Sequence, residues 1–86
     1  YYILDVRNCK EWSGGHVQGA HHHELVKVAG AVESVPLEKP VVVVCHSGNR
    51  ASIVASLLAK RKGAKVYNMR GGMQEWLLAG YPVVTT

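Results

Sequence analysis

The stretch VVVVCHSGNRAS, residues 41–52, decides the fold. Its four consecutive valines form a short, β-branched, apolar run that is typical of a strand covered on both faces of a sheet. After a polar loop, apolar residues recur at helical spacing over Ala51–Lys62, and Gly63 ends the pattern. The sequence therefore predicts a buried strand over Val41–Val44, a tight loop that opens with Cys45, and a helix.

The rest of the chain continues this alternation of strand and helix. Asn8 followed by Glu11 has the spacing of a capping box, which predicts a short helix ending near Gly14 and Gly15. The other predicted elements are strands over Tyr1–Val6 and Lys65–Met69, a brief strand within Gly15–His23, helical turns over Glu24–Ala31, and a helix over Met73–Ala79. We expect one domain over residues 1–86, of the α/β class, with a mainly parallel central sheet flanked by helices.

The loop after the valines carries the predicted site, because ligands of such sheets bind beyond the carboxyl ends of the strands. A tight loop followed by a helix directs backbone N–H groups and the positive helix end at one point, and such a cradle binds anions. A thiol at Cys45 would be held there as the nucleophilic thiolate, with the amides of residues 46–50 around it and Gly48 allowing close approach. The alternative from composition alone is a buried cysteine that ends a strand before an ordinary turn.

Composition narrows the partners. The formal net charge of +4 favours small anions, while the few aromatic residues do not alternate with a basic stripe, so we expect no nucleic-acid partner. No apolar run is long enough to span a membrane, and we expect a cytoplasmic location, or a periplasmic or organellar one if a targeting segment has been removed. Two cysteines do not make a disulfide scaffold, and Cys9 is interpreted as a small buried bystander.

Neither a metal nor a cofactor is expected. The three histidines at His21–His23 alternate in direction on an extended segment and lack zinc-ligand spacing, so packing or exposure is favoured over ligation. The cluster Lys60, Arg61, Lys62 and Lys65 is interpreted as a solvated helix end, with its first three cations in the last turn.

Seven segments, in order, resemble the signatures of the rhodanese family. They are LDVR (4–7), EW (11–12), GHVQGAHH (15–22), VVVVC (41–45), SGNRAS (47–52), GGMQEW (71–76) and GYPV (80–83). The resemblance implies a five-stranded, mainly parallel sheet and a cysteine persulfide held in the amide cradle. Family members usually begin with a helix before the LDVR strand. That helix is missing from this sequence, so we expect the fold without it and a chain that was processed or belongs to a longer multidomain protein.

The resemblance also implies a sulfurtransferase of the thiosulfate type. Cys45 would take sulfane sulfur from thiosulfate or a persulfide donor and pass it to a thiol or cyanide. The implied substrate-binding residues are His46, Ser47, Gly48, Asn49 and Arg50, with Asp5, Arg7, His16 and Trp76 in structural or pocket positions.

Several roles in this loop stay open from the residues alone. Arg50 binds the donor or holds the loop, for example through an ion pair with Asp5, and Ser47 donates to the sulfur or caps the helix. His46 is interpreted as a pocket wall. A rhodanese-fold phosphatase or arsenate reductase is the rival enzyme class, and a sulfur-carrier module is a third. The four residues between Cys45 and Arg50, one fewer than in tyrosine phosphatase loops, favour sulfur.

Overall fold

The computed structural model describes residues 1–30 and 32–85. Within these residues four strands alternate with four α-helices, and a short 3-10 turn at Val32–Ser34 precedes the third strand. The elements are β1 (Tyr2–Asp5), α1 (Cys9–Ser13), β2 (His21–His22), α2 (Leu25–Ala29), β3 (Val41–Val44), α3 (Asn49–Ala59), β4 (Val66–Asn68) and α4 (Gly72–Leu78). The predicted α/β class is confirmed.

The sheet is parallel throughout, with the strand order β2-β1-β3-β4. At its centre β1 and β3 pair in register from Tyr2 opposite Val41 to Asp5 opposite Val44. The chain segments that leave these two strands therefore start side by side at the same edge. The resemblance implied five strands, but four are present in the described residues: the segment after α4 contributes a single antiparallel bridge, between His16 and Val84, and no further strand.

Two hydrophobic clusters cover the two faces of the sheet. Because successive residues of a strand point to opposite faces, Val43 and Cys45 belong to one cluster and Val44 to the other. The first cluster joins the sheet to α2 and α3, and its buried members are Leu4, Val6, Val28, Val35, Val41, Val43, Cys45, Ala51, Val54 and Leu58. The second, with Val17, Val44 and Met73 buried, joins the sheet to α4. Cys45 thus faces the α3 side of the sheet.

Helix α3 differs most from its predicted bounds. It covers Asn49–Ala59 instead of Ala51–Lys62, so the three cations at residues 60–62 follow the helix and do not form its last turn. The Arg61 N–H donates to the Leu58 carbonyl in a turn, and the Arg61 guanidinium donates to the Val35 carbonyl oxygen at 2.5 Å. The chain has left the helical path at these residues, and Gly63 then turns it with a φ of +81°.

The remaining boundaries agree with the sequence patterns within a few residues. The capping box of α1 is confirmed: the Glu11 N–H donates to Asn8 Oδ1 at 2.8 Å, and the Asn8 N–H donates to Glu11 Oε1 at 3.2 Å. Of the helical turns predicted over residues 24–31, α2 accounts for Leu25–Ala29, and Ala31 lies outside the described residues. Among the helices in residues 1–30 and 32–85, none has the length and apolar character needed to cross a bilayer.

Candidate active site

Cys45 lies at the carboxyl edge of the sheet, directly after β3, and is 1% exposed. Its Sγ accepts a hydrogen bond from the Gly48 N–H at 3.0 Å and another from the Ala51 N–H at 3.3 Å. Peptide N–H groups that face a sulfur atom stabilise its anionic form, which is the attacking form of a thiol. The Cys45 sulfur is buried, yet it faces two backbone N–H donors.

Fewer amides of the loop bond the Cys45 sulfur than the sequence predicted. Of residues 46–50, Gly48 donates to the sulfur, whereas His46, Ser47, Asn49 and Arg50 make no hydrogen bond with Sγ in the described structure. The second donor, Ala51, lies one residue beyond the predicted set. Since α3 begins at Asn49, the Ala51 amide belongs to the first turn of the helix, where N–H groups lack intrahelical acceptors.

Gly48 gives the loop its shape. It is the residue before α3, with φ +102°, a left-handed conformation that residues with a Cβ rarely adopt. This conformation turns its N–H back toward Cys45. Neither role left open for Ser47 is found in the described residues: the N-cap position belongs to Gly48, and the hydrogen bonds to the Cys45 sulfur come from Gly48 and Ala51. Ser47 is exposed on the loop surface.

Helix α4 binds the backbone carbonyls of the loop that follows β3. The Met73 N–H donates to the Cys45 carbonyl at 2.7 Å, and the Gln74 N–H donates to the His46 carbonyl at 2.8 Å. Gly72 lies so close that a Cβ there would be 2.2 Å from the Cys45 carbonyl oxygen. The Asn68 side-chain amide adds a bond to the Gly48 carbonyl at 3.2 Å. The backbone of the loop is therefore held by β4 and α4, on the side away from the sulfur.

Arg50 is joined to α1. Its Nη1 and Nη2 donate to Glu11 Oε1 and Oε2 at 2.7 and 2.9 Å in a bidentate ion pair. The hydrogen bonds from Arg50 lower the pKa of Glu11 from 4.5 to about 2, with the Asn8 N–H assisting. They likewise raise the pKa of Arg50, and the electrostatic interactions of its guanidinium with nearby acidic groups add to this rise. The carboxylate partner suggested from the sequence, Asp5, is the wrong one.

Asp5 pairs with Arg7 instead. Both side chains are buried, at 1% and 5% exposed, and the Arg7 Nε and Nη2 donate to the Asp5 carboxylate at 2.9 to 3.1 Å. Arg7 also donates to the Gly15 carbonyl at 2.8 Å. A buried ion pair is stable only when its hydrogen-bonding groups are satisfied, and this pair ties the end of β1 to the loop after α1. The Asp5–Arg7 pair therefore has a structural role.

Aromatic rings stack beside this pair. His16 is buried, stacks on Trp12 with ring centroids 3.5 Å apart, and its Nδ1 lies 3.1 Å from the Trp12 carbonyl oxygen. His22 also stacks on Trp12, and its Nε2 lies 2.7 Å from the Arg7 carbonyl oxygen. His21 stacks on Tyr2 at 4.2 Å. Each of these three histidines thus has a packing partner.

His46 and Trp76 lie at the periphery. His46 is exposed at the loop surface, and its carbonyl accepts the bond from α4. Trp76 is half-buried, packs against the second core cluster and donates from Nε1 to the Pro82 carbonyl at 3.0 Å. It also lines an open cleft of about 320 Å³ that includes Gly72, on the far side of the loop backbone.

Cys9 does not match its interpretation as a buried bystander. It is exposed, in the first turn of α1, and its thiol donates to Glu24 Oε1 at 2.9 Å. That hydrogen bond is the main cause that raises the pKa of Cys9, with some desolvation and the negative charge of Glu24 adding to it. A thiol that donates to a carboxylate retains its proton, which is the opposite of the arrangement at Cys45.

Four contributors to the site were missed by sequence reasoning: Glu11, Asn68, Gly72 and Ala51. The spacing of Asn8 and Glu11 indicated a cap but not an ion pair with a residue 39 positions later. The Gly71-Gly72 pair, placed between a strand and a helix, is a signal of close backbone approach that could have indicated this contact.

The fold and the site define a class: an α/β domain with a buried cysteine whose sulfur accepts hydrogen bonds from backbone amides beyond the carboxyl end of a central parallel strand. The family profile described as Rhodanese-like domain matches residues 1–79. The chain belongs to the rhodanese-like domain family.

Similar proteins agree with this assignment. The chain is 32% identical over 83 residues to the thiosulfate sulfurtransferase GlpE of Pseudomonas putida strain GB-1, covering 96% of this chain and 74% of the relative. The crystal structure of a rhodanese-related protein from Thermoplasma volcanium superposes with a TM-score of 0.92 at 28% identity, covering 100% of this chain and 85% of that one. A rhodanese-like domain protein from Staphylococcus aureus gives 0.78 at 27% identity, over 87% and 72% of the two chains.

Proposed function

We propose that this domain transfers sulfane sulfur from a small anionic donor, thiosulfate or a persulfide, to a thiol or cyanide through a persulfide on Cys45. The observation that carries the proposal is the Cys45 sulfur held by the Gly48 and Ala51 N–H groups at 3.0 and 3.3 Å. The family and the relatives named thiosulfate sulfurtransferase support the same chemistry.

In the first step the Cys45 thiolate attacks the outer sulfur of thiosulfate. A bond forms between Cys45 Sγ and this outer sulfur, while the S–S bond within thiosulfate breaks. Sulfite leaves with the electron pair of the broken bond. The two amides act where negative charge resides before and during this displacement, as preorganised donors do around an anion in other transfer reactions. The dipole of α3, an 11-residue helix that begins beside the sulfur, adds to the stabilisation.

In the second step the acceptor attacks the outer sulfur of the persulfide. Cyanide leaves as thiocyanate, and a thiolate acceptor becomes a persulfide, while the electron pair of the broken S–S bond returns to Cys45 as thiolate. The same two amides then receive the regenerated anion. The exposed residues His46, Ser47 and Asn49 form the surface from which donor and acceptor approach, and their contact with substrate is part of the proposal.

Intact-mass measurement after incubation with thiosulfate tests the proposal. We expect the wild-type chain to gain the mass of one sulfur atom and to lose it on addition of cyanide or a reductant. Cys45→Ser removes the uptake completely, whereas Cys9→Ser, which changes the other thiol of the chain, leaves it intact. Absence of uptake by the wild-type chain, or uptake that persists in Cys45→Ser, contradicts the proposal.

A parallel assay with p-nitrophenyl phosphate addresses the rival hydrolase class. Both terminal guanidinium nitrogens of Arg50 bond Glu11, so they are not free to hold a phosphoryl group during hydrolysis. We therefore expect no phosphate release above that of Cys45→Ser. Phosphate release without sulfur uptake would contradict this proposal and indicate a rhodanese-fold phosphatase.

A further inference from the structure

The ion pair between Glu11 and Arg50 connects the two turns at the centre of the sheet edge. Arg50 is the second residue of α3 and directly precedes Ala51, whose N–H faces the Cys45 sulfur. Glu11 lies in α1, the helix that follows β1. Since β1 and β3 are neighbours, the pair spans the turns that leave them. This ion pair is a side-chain contact by which α1 holds the first turn of α3.

Glu11 is itself fixed in position. Its backbone N–H bonds the Asn8 side chain, and its Oε1 accepts from the Asn8 N–H at 3.2 Å as well as from Arg50 at 2.7 Å. The carboxylate therefore has one orientation, defined by the capping box before Arg50 is considered. With side chains 29% and 32% exposed, the pair is partly shielded from water. Such shielding and the bidentate geometry make it stronger than an ordinary surface pair.

The position of Arg50 also requires a partner. A cation in the first turn of a helix opposes the helix dipole, and α3 has no acidic residue of its own in that turn. Glu11 supplies the missing negative charge from the neighbouring helix. At the same time it occupies Nη1 and Nη2, so these two nitrogens are not free to bind a sulfonate or phosphate end-on.

We infer that Glu11 is a positioning residue of the active site: it holds Arg50 so that the Gly48 and Ala51 amides face Cys45, and Arg50 does not bind the sulfur donor. The inference rests on the proposed sulfurtransferase function for its kinetic consequence, and on the geometry alone for its structural one. Arg50 is thereby assigned to loop architecture, and donor binding is left to the amides and the exposed loop residues.

Kinetics with thiosulfate and cyanide provide the first test. Glu11→Gln keeps the capping-box bond, because Gln serves at this position as Glu does, and removes only the charge. Arg50→Met removes the other partner. We expect each variant to lower kcat about tenfold with KM for thiosulfate within about twofold, because a small misplacement of catalytic groups is costly. The double variant should be no slower than the slower single variant, since both changes break one interaction.

A donor-binding role for Arg50 makes the opposite forecast. Arg50→Met would then raise KM with kcat unchanged, and Glu11→Gln, by releasing the guanidinium, would lower KM. Glu33→Gln is the matched control, because it removes the carboxylate 3.8 Å from Arg61, beyond the far end of α3. It should leave both constants unchanged. The inference is overturned if Glu11→Gln, Arg50→Met and the double variant all keep wild-type kinetics, or if they show the KM pattern just described.

Amide hydrogen exchange tests the geometry without any activity. In Glu11→Gln we expect exchange at Gly48 and Ala51 to accelerate about tenfold, because local opening of the loop becomes easier, while the β3 amide of Val43 keeps its rate. Arg50→Lys, which retains the charge, should show a smaller acceleration. If the wild-type chain takes up no sulfur, the proposed function fails but this measurement stands. If uptake is normal and exchange at these two amides is unchanged, the inference fails by itself.

Discussion

Two turns at the same edge of the sheet each carry a cysteine, and the hydrogen bonds of the two sulfur atoms run in opposite directions. Cys9 opens α1 after β1, and Cys45 follows β3, the strand that pairs with β1. The Cys9 thiol is exposed and donates a hydrogen bond to the Glu24 carboxylate. The Cys45 sulfur is buried and accepts two hydrogen bonds from backbone amides. Similar placement in the topology therefore does not decide the chemistry of a thiol.

The direction of the hydrogen bonds decides it. A carboxylate beside a thiol holds the proton on sulfur, whereas N–H donors stabilise the sulfur once the proton has left. The second turn can offer such donors because Gly48 adopts a left-handed conformation and α3 starts immediately afterwards. In the first turn, Asn8 caps the helix with its side chain and uses the Glu11 N–H itself. The turn whose helix is capped by a side chain offers its cysteine a carboxylate acceptor and no N–H donor to the sulfur among the described hydrogen bonds.

The largest effect should come from Gly72→Ala, which breaks the support of the Cys45 turn and leaves the Cys9 turn untouched. The added Cβ would lie 2.2 Å from the Cys45 carbonyl oxygen and 2.7 Å from that of His46, so the loop must shift. We expect sulfur transfer to fall about 100-fold or more, comparable to the loss of one donor of an anion hole.

Gly63→Ala is the control for this prediction. Gly63 also has a positive φ, +81°, but a Cβ there would meet no atom within 4 Å. It should cost only the left-handed backbone penalty, about 1 kcal/mol, with normal activity. Thiosulfate–cyanide turnover and thermal unfolding of both variants distinguish the clash from the backbone strain. Equal activity of the two variants would show that α4 does not support the loop.

A smaller effect is expected at Cys9, the thiol of the other turn. Glu24→Ala removes the hydrogen bond and the negative charge that raise the pKa of Cys9. Because the thiolate is the reactive form, alkylation of Cys9 by iodoacetamide at neutral pH should accelerate about fivefold. Lys27→Gln removes a positive charge that lowers this pKa, so it should slow the reaction. Peptide mass mapping measures each rate; identical rates in the three proteins would exclude Glu24 as the cause.

The sequence predicted the parts of the site that depend on neighbouring residues. The β-branched run, the glycine in the loop and the helical spacing after it identified β3, Cys45 and Gly48. It did not predict that α3 would begin at Asn49, so the Ala51 amide was left out. That error is one of helix boundary, which local patterns define least well.

The contacts that the sequence did not predict depend on the order of the strands in the sheet. Glu11 meets Arg50 because β1 lies next to β3, and local patterns do not specify the order β2-β1-β3-β4. The contact of Gly72 with Cys45 requires α4 to return to the same edge. The exposure of Cys9 was mispredicted for a related reason: whether a residue in a helical turn is covered depends on what packs over it. The packing over each sulfur, which local patterns do not specify, makes Cys9 exposed and Cys45 buried.

The smallest predicted effect concerns stability where the two turns are joined. The pKa of Glu11 is lowered from 4.5 to about 2, so its ion pair with Arg50 stabilises the folded state above pH 4.5, and this contribution is lost as the pH falls through about 2. At neutral pH we expect Glu11→Gln to reduce the free energy of unfolding by about 1 kcal/mol, as for a favourable, partly exposed pair. The difference from wild type in urea denaturation should shrink across that acidic range. Glu33→Gln, whose carboxylate is 92% exposed, should differ little from wild type at any pH. A Glu11→Gln difference that stays constant from neutral to acidic pH would mean that packing around α1, and not charge, joins the two turns.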